Sequence, residues 1–241
     1  MGVHADSVPE WLISSWIRSC TAAGATASPD ELRAAGRRLL DRWDSPNRKY
    51  HNITHLMDVL SRVDELSEET HEPDLVRLAA WYHGAMFNSS ESAAYANRGG
   101  ENEEESADLA VSELADLGVP ERERERVATL VRALLRHTAV PHDFDCAVLC
   151  DADLSMLAAE PQRYRTYLEH LREEYAHIPV RDYLTSRIAI LTKLQQREHL
   201  FASGMGAAWE ESARQNLEAE LSRLTKELRT LDVSAPAPAG Q

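Results

Sequence analysis

The chain has 241 residues, 43% of them hydrophobic and 27% charged. That length and balance fit one full-size soluble domain and exclude a disordered chain. With 26 basic residues against 40 acidic, the formal net charge is −14, which argues against a binder of nucleic-acid duplexes, because phosphate backbones attract basic surfaces.

Period-two alternation is nearly absent and helical periodicity runs throughout, so the expected class is all-α. A first helix is read from Pro9 to about Ala23. The second starts at SPDELRAAGRRLLDRW, with Ser28 as N-cap, Pro29 in the first turn and Glu31 completing a capping box. The third runs from Asn52 to about Leu66 and the fourth from Pro73 to Phe87. Residues 88–100, NSSESAAYANRGG, form a long irregular segment, of the kind that is often functional or mobile. Helices from Glu101 to Leu117 and from Pro120 to His137 follow as an antiparallel pair across Gly118-Val119-Pro120. A short piece at 143–158 and helices from Pro161, Val180 and Ala207 complete the domain, which ends near Leu231. The Pro/Ala/Gly-rich residues 232–241 read as a disordered tail. The run Arg122–Arg126 alternates in sign and reads as a solvated helix face.

No run approaches the ~20 apolar residues of a membrane span. The N-terminus has an acidic residue early and no basic region, unlike a secretory signal. Cys20, Cys146 and Cys150 are odd in number and form no C-x-x-C pair. They read as reduced thiols of a cytoplasmic protein.

Chemistry concentrates in the histidines. His55 lies about 40° from Val59 around the third helix, so it faces the core. His83 lies within about 40° of Ala79 and Phe87, on an apolar helix. Asp153 is flanked at helical spacing by Leu149 and Leu157, and a carboxylate there needs a partner. Two inward histidines and an inward aspartate on three helices can partner one another by holding a metal, as facing helices do in bundles. The same residues also read as hydrogen-bonded core groups, and periodicity leaves both readings open.

The order of the motifs adds a resemblance. Tyr50-His51-Asn52-Ile53-Thr54-His55 is followed by Trp81-Tyr82-His83, then by Asn102-Glu103-Glu104-Glu105-Ser106-Ala107. Leu134-Leu135-Arg136-His137, Asp151-Ala152-Asp153-Leu154-Ser155 and Arg172-Glu173-Glu174-Tyr175 come next, and Ala213-Arg214-Gln215-Asn216-Leu217 closes the series. Over roughly residues 40–225 this resembles the HD superfamily of metal-dependent phosphohydrolases, whose pattern is H…HD…D. It is most similar to a branch of small bacterial proteins known only as predicted HD phosphohydrolases. The resemblance implies one all-α domain over residues 1–231, an HD-type helical core wrapped by the N-terminal helices and the long C-terminal helix, with His55, His83 and Asp153 as metal ligands. It implies a phosphohydrolase acting on a nucleotide-like or other small phosphoester. Imidazole plus carboxylate suits Mn, Fe, Co, Ni, Zn or Mg. His51 and Arg172 are candidates for holding the phosphorylated substrate, and Glu103, Asp151 and His137 for catalysis. Neither a nucleic-acid duplex nor a membrane is an expected partner; a homo-oligomer is compatible with the sequence.

One position departs from the pattern. The doublet reads His83-Gly84, and the family's aspartate is a direct metal ligand. Either another carboxylate takes its place, with Glu103 and Glu104 the expected suppliers, or the site binds a nucleotide or partner without turnover.

Overall fold

The computed structural model describes residues 8–96, 99–137 and 139–234. It is 71% helical, about twice the usual share, and bears out the all-α expectation. The capping box at the start of the second helix forms: Ser28 Oγ accepts from the Glu31 amide, and the Glu31 carboxylate accepts from the Ser28 amide at 2.8 Å. The first four helices are α1 (Glu10–Ala22), α2 (Pro29–Trp43), α3 (Ile53–Glu65) and α4 (Pro73–Tyr82).

Of these, α4 organises the rest. Leu75, Val76, Leu78, Ala79, Ala80, Trp81 and Tyr82 are all buried, so the last turns of the helix are apolar on every side and must be enclosed. It packs against α1 and α3, and against α6 (Glu103–Asp116), α7 (Glu121–Ala133) and α8 (Phe144–Leu154). Helices α3 and α8 also touch each other, so α3, α4 and α8 meet as a triplet.

The expected fourth helix runs to Phe87, but α4 stops at Tyr82. Arg48 takes the carbonyls that would continue it, donating to Gly84 O at 2.6 Å and Ala85 O at 3.3 Å. The segment expected to be irregular holds a short helix, α5 (Glu91–Tyr95), between two strands, β1 (Phe87–Asn88) and β2 (Gly100–Glu101). The strands pair antiparallel with Phe87 opposite Glu101. Helix α6 therefore begins at Glu103, with Asn102 as its cap, and Glu101 belongs to the hairpin. Arg126 also departs from the solvated face expected of it: it pairs with Asp143 at 2.6 Å and Asp145 at 3.0 Å.

A second apolar cluster joins α9 (Pro161–Glu174), α10 (Val180–Gln195) and α11 (Glu210–Ser234) through Leu171, Leu184, Leu191 and Leu217. Trp209 packs against both clusters. The expected tail starts inside α11, which continues through Ser234; residues 235–241 lie outside the described residues. Cys20, Cys146 and Cys150 are buried and unpaired. Among the described residues no helix is long and apolar enough to cross a membrane.

The second cluster encloses one ion pair. Arg187 bonds both oxygens of Glu220 at 2.8 and 3.0 Å, and Tyr164 Oη donates to Glu220 at 2.6 Å. Removing one member of such a pair strands the other charge. Arg187→Met is expected to lower the unfolding free energy by about 3–5 kcal/mol, and Arg187→Met with Glu220→Leu should recover much of it. Urea denaturation of the two variants checks this; equal losses would contradict it.

Candidate metal centre

The triplet of α3, α4 and α8 delivers three side chains to one point. His55 sits in the first turn of α3, His83 caps the end of α4, and Asp153 lies near the end of α8. His55 Nε2 is 3.2 Å from His83 Nε2 and 3.3 Å from Asp153 Oδ1, and His83 Nε2 is 3.6 Å from the same oxygen. The hairpin adds Glu101, whose Oε1 lies 3.6 Å from His83 Nε2 and 4.0 Å from His55 Nε2. Around an ion with ligands at about 2.1 Å, neighbouring tetrahedral ligand atoms are about 3.4 Å apart. Spacings of 3.2 to 4.0 Å are compatible with that, and the His55–His83–Glu101 group could hold a metal ion.

Protonation points the same way. His83 Nδ1 lies 2.6 Å from the Ala80 carbonyl, which can only accept, so Nδ1 carries the proton. In the neutral ring Nε2 then presents a lone pair to the centre, the tautomer a metal-ligating histidine needs. Burial favours that neutral form by pushing His83 below its ordinary value. Burial pushes Asp153 up, but bonds from His137 and His55 outweigh it and hold the carboxyl well below the usual range.

The other residues singled out in the sequence divide into two groups. His137 joins the centre: its Nε2 is 2.7 Å from Asp153 Oδ2. Its φ of 42° is left-handed, uncommon for a residue with a side chain. Arg197 holds that turn by donating to the carbonyls of Arg136 and His137 at 2.7 and 2.8 Å. His51 stands beside the centre, its ring 5.6 Å from that of His55, with Nδ1 on Glu174 Oε1 at 2.5 Å. Burial alone would lower His51, but the Glu174 contact raises it above its ordinary value. Glu103 heads α6, two residues past Glu101, where burial raises its carboxyl.

Asp151, Arg172 and Glu104 face elsewhere. Two residues along a helix is about 200° of rotation, so Asp151 points away from Asp153. Its carboxylate accepts from the amides of Ala202 and Ser203 at 2.8 and 2.7 Å and pins the loop between α10 and α11. Arg172 closes the C-terminal end of α9, donating to the carbonyls of Tyr175 and Ile178, with its guanidinium over Tyr183. Glu104 pairs with Arg132 on the surface.

Two residues of the centre carried no signal of their own. By sequence Glu101 is the first residue of a helix, and a two-residue strand leaves no pattern to show otherwise. Glu174 lies inside the Arg172–Tyr175 motif, in which the glutamate and not the arginine reaches His51. Glu174 Oε2 accepts from the amides of Lys49, Tyr50 and His51, which fixes the loop that presents His51.

The reassignment of Asp151 is testable. Asp151→Ala should cost about 1–3 kcal/mol of stability through its orphaned amides while leaving bound metal unchanged, read by urea denaturation and elemental analysis. Loss of metal at unchanged stability would return Asp151 to the centre. No protein-family model matches the chain, and no curated protein or solved structure matches it either, so the functional reading rests on this geometry and on the order of the motifs.

Proposed function

We propose that the protein is a metal-dependent phosphohydrolase acting on a small, nucleotide-like phosphoester. The observation that carries the reading is the convergence of His55, His83, Asp153 and Glu101 inside the protein, with the lone pair of His83 Nε2 turned to the unpartnered Glu101 Oε1. Such an arrangement is costly unless a cation lies between them. The motif order resembling the HD superfamily supports the same reading.

His55, His83 and Asp153, with Glu101 beside them, would hold the ion, and the donor set suits Mn, Fe, Co, Ni, Zn or Mg. Bound there, a divalent ion lowers the pKa of a coordinated water and screens phosphate charge. The chain's own groups supply the rest. Glu174 fixes the His51 ring through Nδ1 and leaves Nε2 as the nitrogen that can exchange a proton with a substrate oxygen. His137 orients Asp153 through Oδ2, so that Oδ1 stays turned to the imidazoles. Phe87 stacks near His51 at 5.2 Å and keeps that side of the centre apolar.

The test uses purified protein loaded with each of the six ions and assayed on aryl phosphate monoesters, diesters and nucleotides. Turnover is expected with at least one ion, abolished by chelator and by His83→Ala, while the circular dichroism of the variant stays helical. Bound metal without turnover on any ester would assign the centre to ligand binding alone. Equal metal content in wild type and His83→Ala would reduce His83 to a packed core residue.

A further inference from the structure

We propose that Glu101 is a ligand of the cation and that position 84 is glycine because the Glu101 carboxylate, together with the Trp43 ring, occupies the space a side chain there would need. The inference rests on the metal reading above and goes beyond it by identifying one ligand position shared by two places in the sequence.

Glu101 differs from the carboxylates buried elsewhere. Asp145 accepts from Arg126 and from the amides of His71 and Glu72. Asp151, Glu174 and Glu220 are bonded as described. Each is a charge matched by donors, as burial demands. Glu101 Oε1 is buried with no hydrogen-bond partner. Its nearest polar neighbours include His83 Nε2, which offers a lone pair and no proton. Arg48 is close enough to act on Glu101 electrostatically, but no hydrogen bond joins the two: its Nη atoms donate to the carbonyls of His51, Gly84 and Ala85, and its Nε has no partner. An ion shared with His55 and His83 is what this oxygen lacks.

Gly84 completes the argument. A Cβ built on Gly84 would lie 2.4 Å from Glu101 Oε1 and 2.3 Å from Trp43 Cη2. Ordinary carbon–carbon and carbon–oxygen bond lengths put the carboxylate oxygen of an aspartate about 2.4 Å from its own Cβ. An aspartate at 84 would therefore send an oxygen to about the distance at which Glu101 Oε1 already sits. The two carboxylates are alternatives for one position, and only one fits at a time.

The hairpin explains how a residue 17 positions downstream reaches this place. Glu101 pairs with Phe87, the Asn102 amide donates to Met86 O at 2.9 Å, and Phe87 lies against the Arg48 guanidinium at 4.8 Å. Arg48 in turn holds the Gly84 carbonyl. A closed circuit of contacts thus joins the two positions.

The test is a titration of metal-free full-length protein with Mn2+ and Zn2+, alongside its melting temperature. Glu101→Gln keeps the shape and removes the charge. It is expected to weaken ion binding at least tenfold, in line with the loss of a metal-site group. It should also leave the melting temperature of the metal-free protein equal or higher, because an unmatched buried charge is gone. A packing role alone would lower the melting temperature and spare affinity, and that result overturns the proposal. Wild type binding neither ion would bring down the metal reading itself, a different failure. The shared position is tested by Gly84→Asp made together with Trp43→Leu and Glu101→Gly, which is expected to bind at least tenfold tighter than Glu101→Gly alone. A folded triple variant that binds no tighter contradicts the exchange, and Glu101→Gln decides the ligand role whether or not that variant folds.

Discussion

The last turns of α4 are buried on every side, and the structure turns on how that helix ends. Its last carbonyls find donors inside the protein, Ala80 O from His83 Nδ1, Trp81 O from Trp43 Nε1 and Tyr82 O from the Ala85 amide, and Arg48, from the segment between α2 and α3, takes the Gly84 and Ala85 carbonyls just beyond. The guanidinium lies between the rings of Trp43 and Phe87, at 5.0 and 4.8 Å. One buried cation thus fixes the backbone at Gly84 and Ala85, just past the helix, and seats the strand that pairs with Glu101. Burial lowers Arg48 to about 10, still far above neutrality, so the clamp stays charged under ordinary conditions.

The same economy governs the acidic side of the protein. A net charge of −14 leaves carboxylates to spare, and several are used as internal acceptors for backbone amides. Asp151, Glu69 and Glu210 between them take the amides of Leu200 through Met205. These groups hold loops in place. Asp153 and Glu101 differ because they face the imidazole nitrogens of His55 and His83 and accept from no backbone amide among the hydrogen bonds described.

Much of this was legible in the sequence, for reasons that differ by residue. Ser28, Pro29 and Glu31 announce a helix start because the capping box is local. His55, His83 and Asp153 were readable as inward-facing because each sits on a helix whose apolar neighbours fix the phase. Glu101 was not, because strands of two residues have no period to detect, and the acidic run that follows looks like the start of a helix. Asp151 was over-read: two positions from Asp153 is close along the chain and opposite around the helix. Arg172 looked like a phosphate ligand by its type, but a basic residue in the last turn of a helix has carbonyls within reach.

Asp153 stands where the two apolar clusters meet. Its Oδ1 faces His55 and His83, whose helices belong to the first cluster. Its Oδ2 faces His137, whose carbonyl is gripped by Arg197 from the end of α10, in the second. Layers of one fold rarely open with equal ease. A transient opening of the C-terminal layer would withdraw Arg197, let the left-handed turn at His137 relax, and free one oxygen of Asp153 while the imidazole pair stayed in place. The seam between the layers therefore runs through Asp153 as well as through Asp151, Glu69 and Glu174, and amide exchange along α10 and α11 becomes a measure of how often Asp153 stands half released.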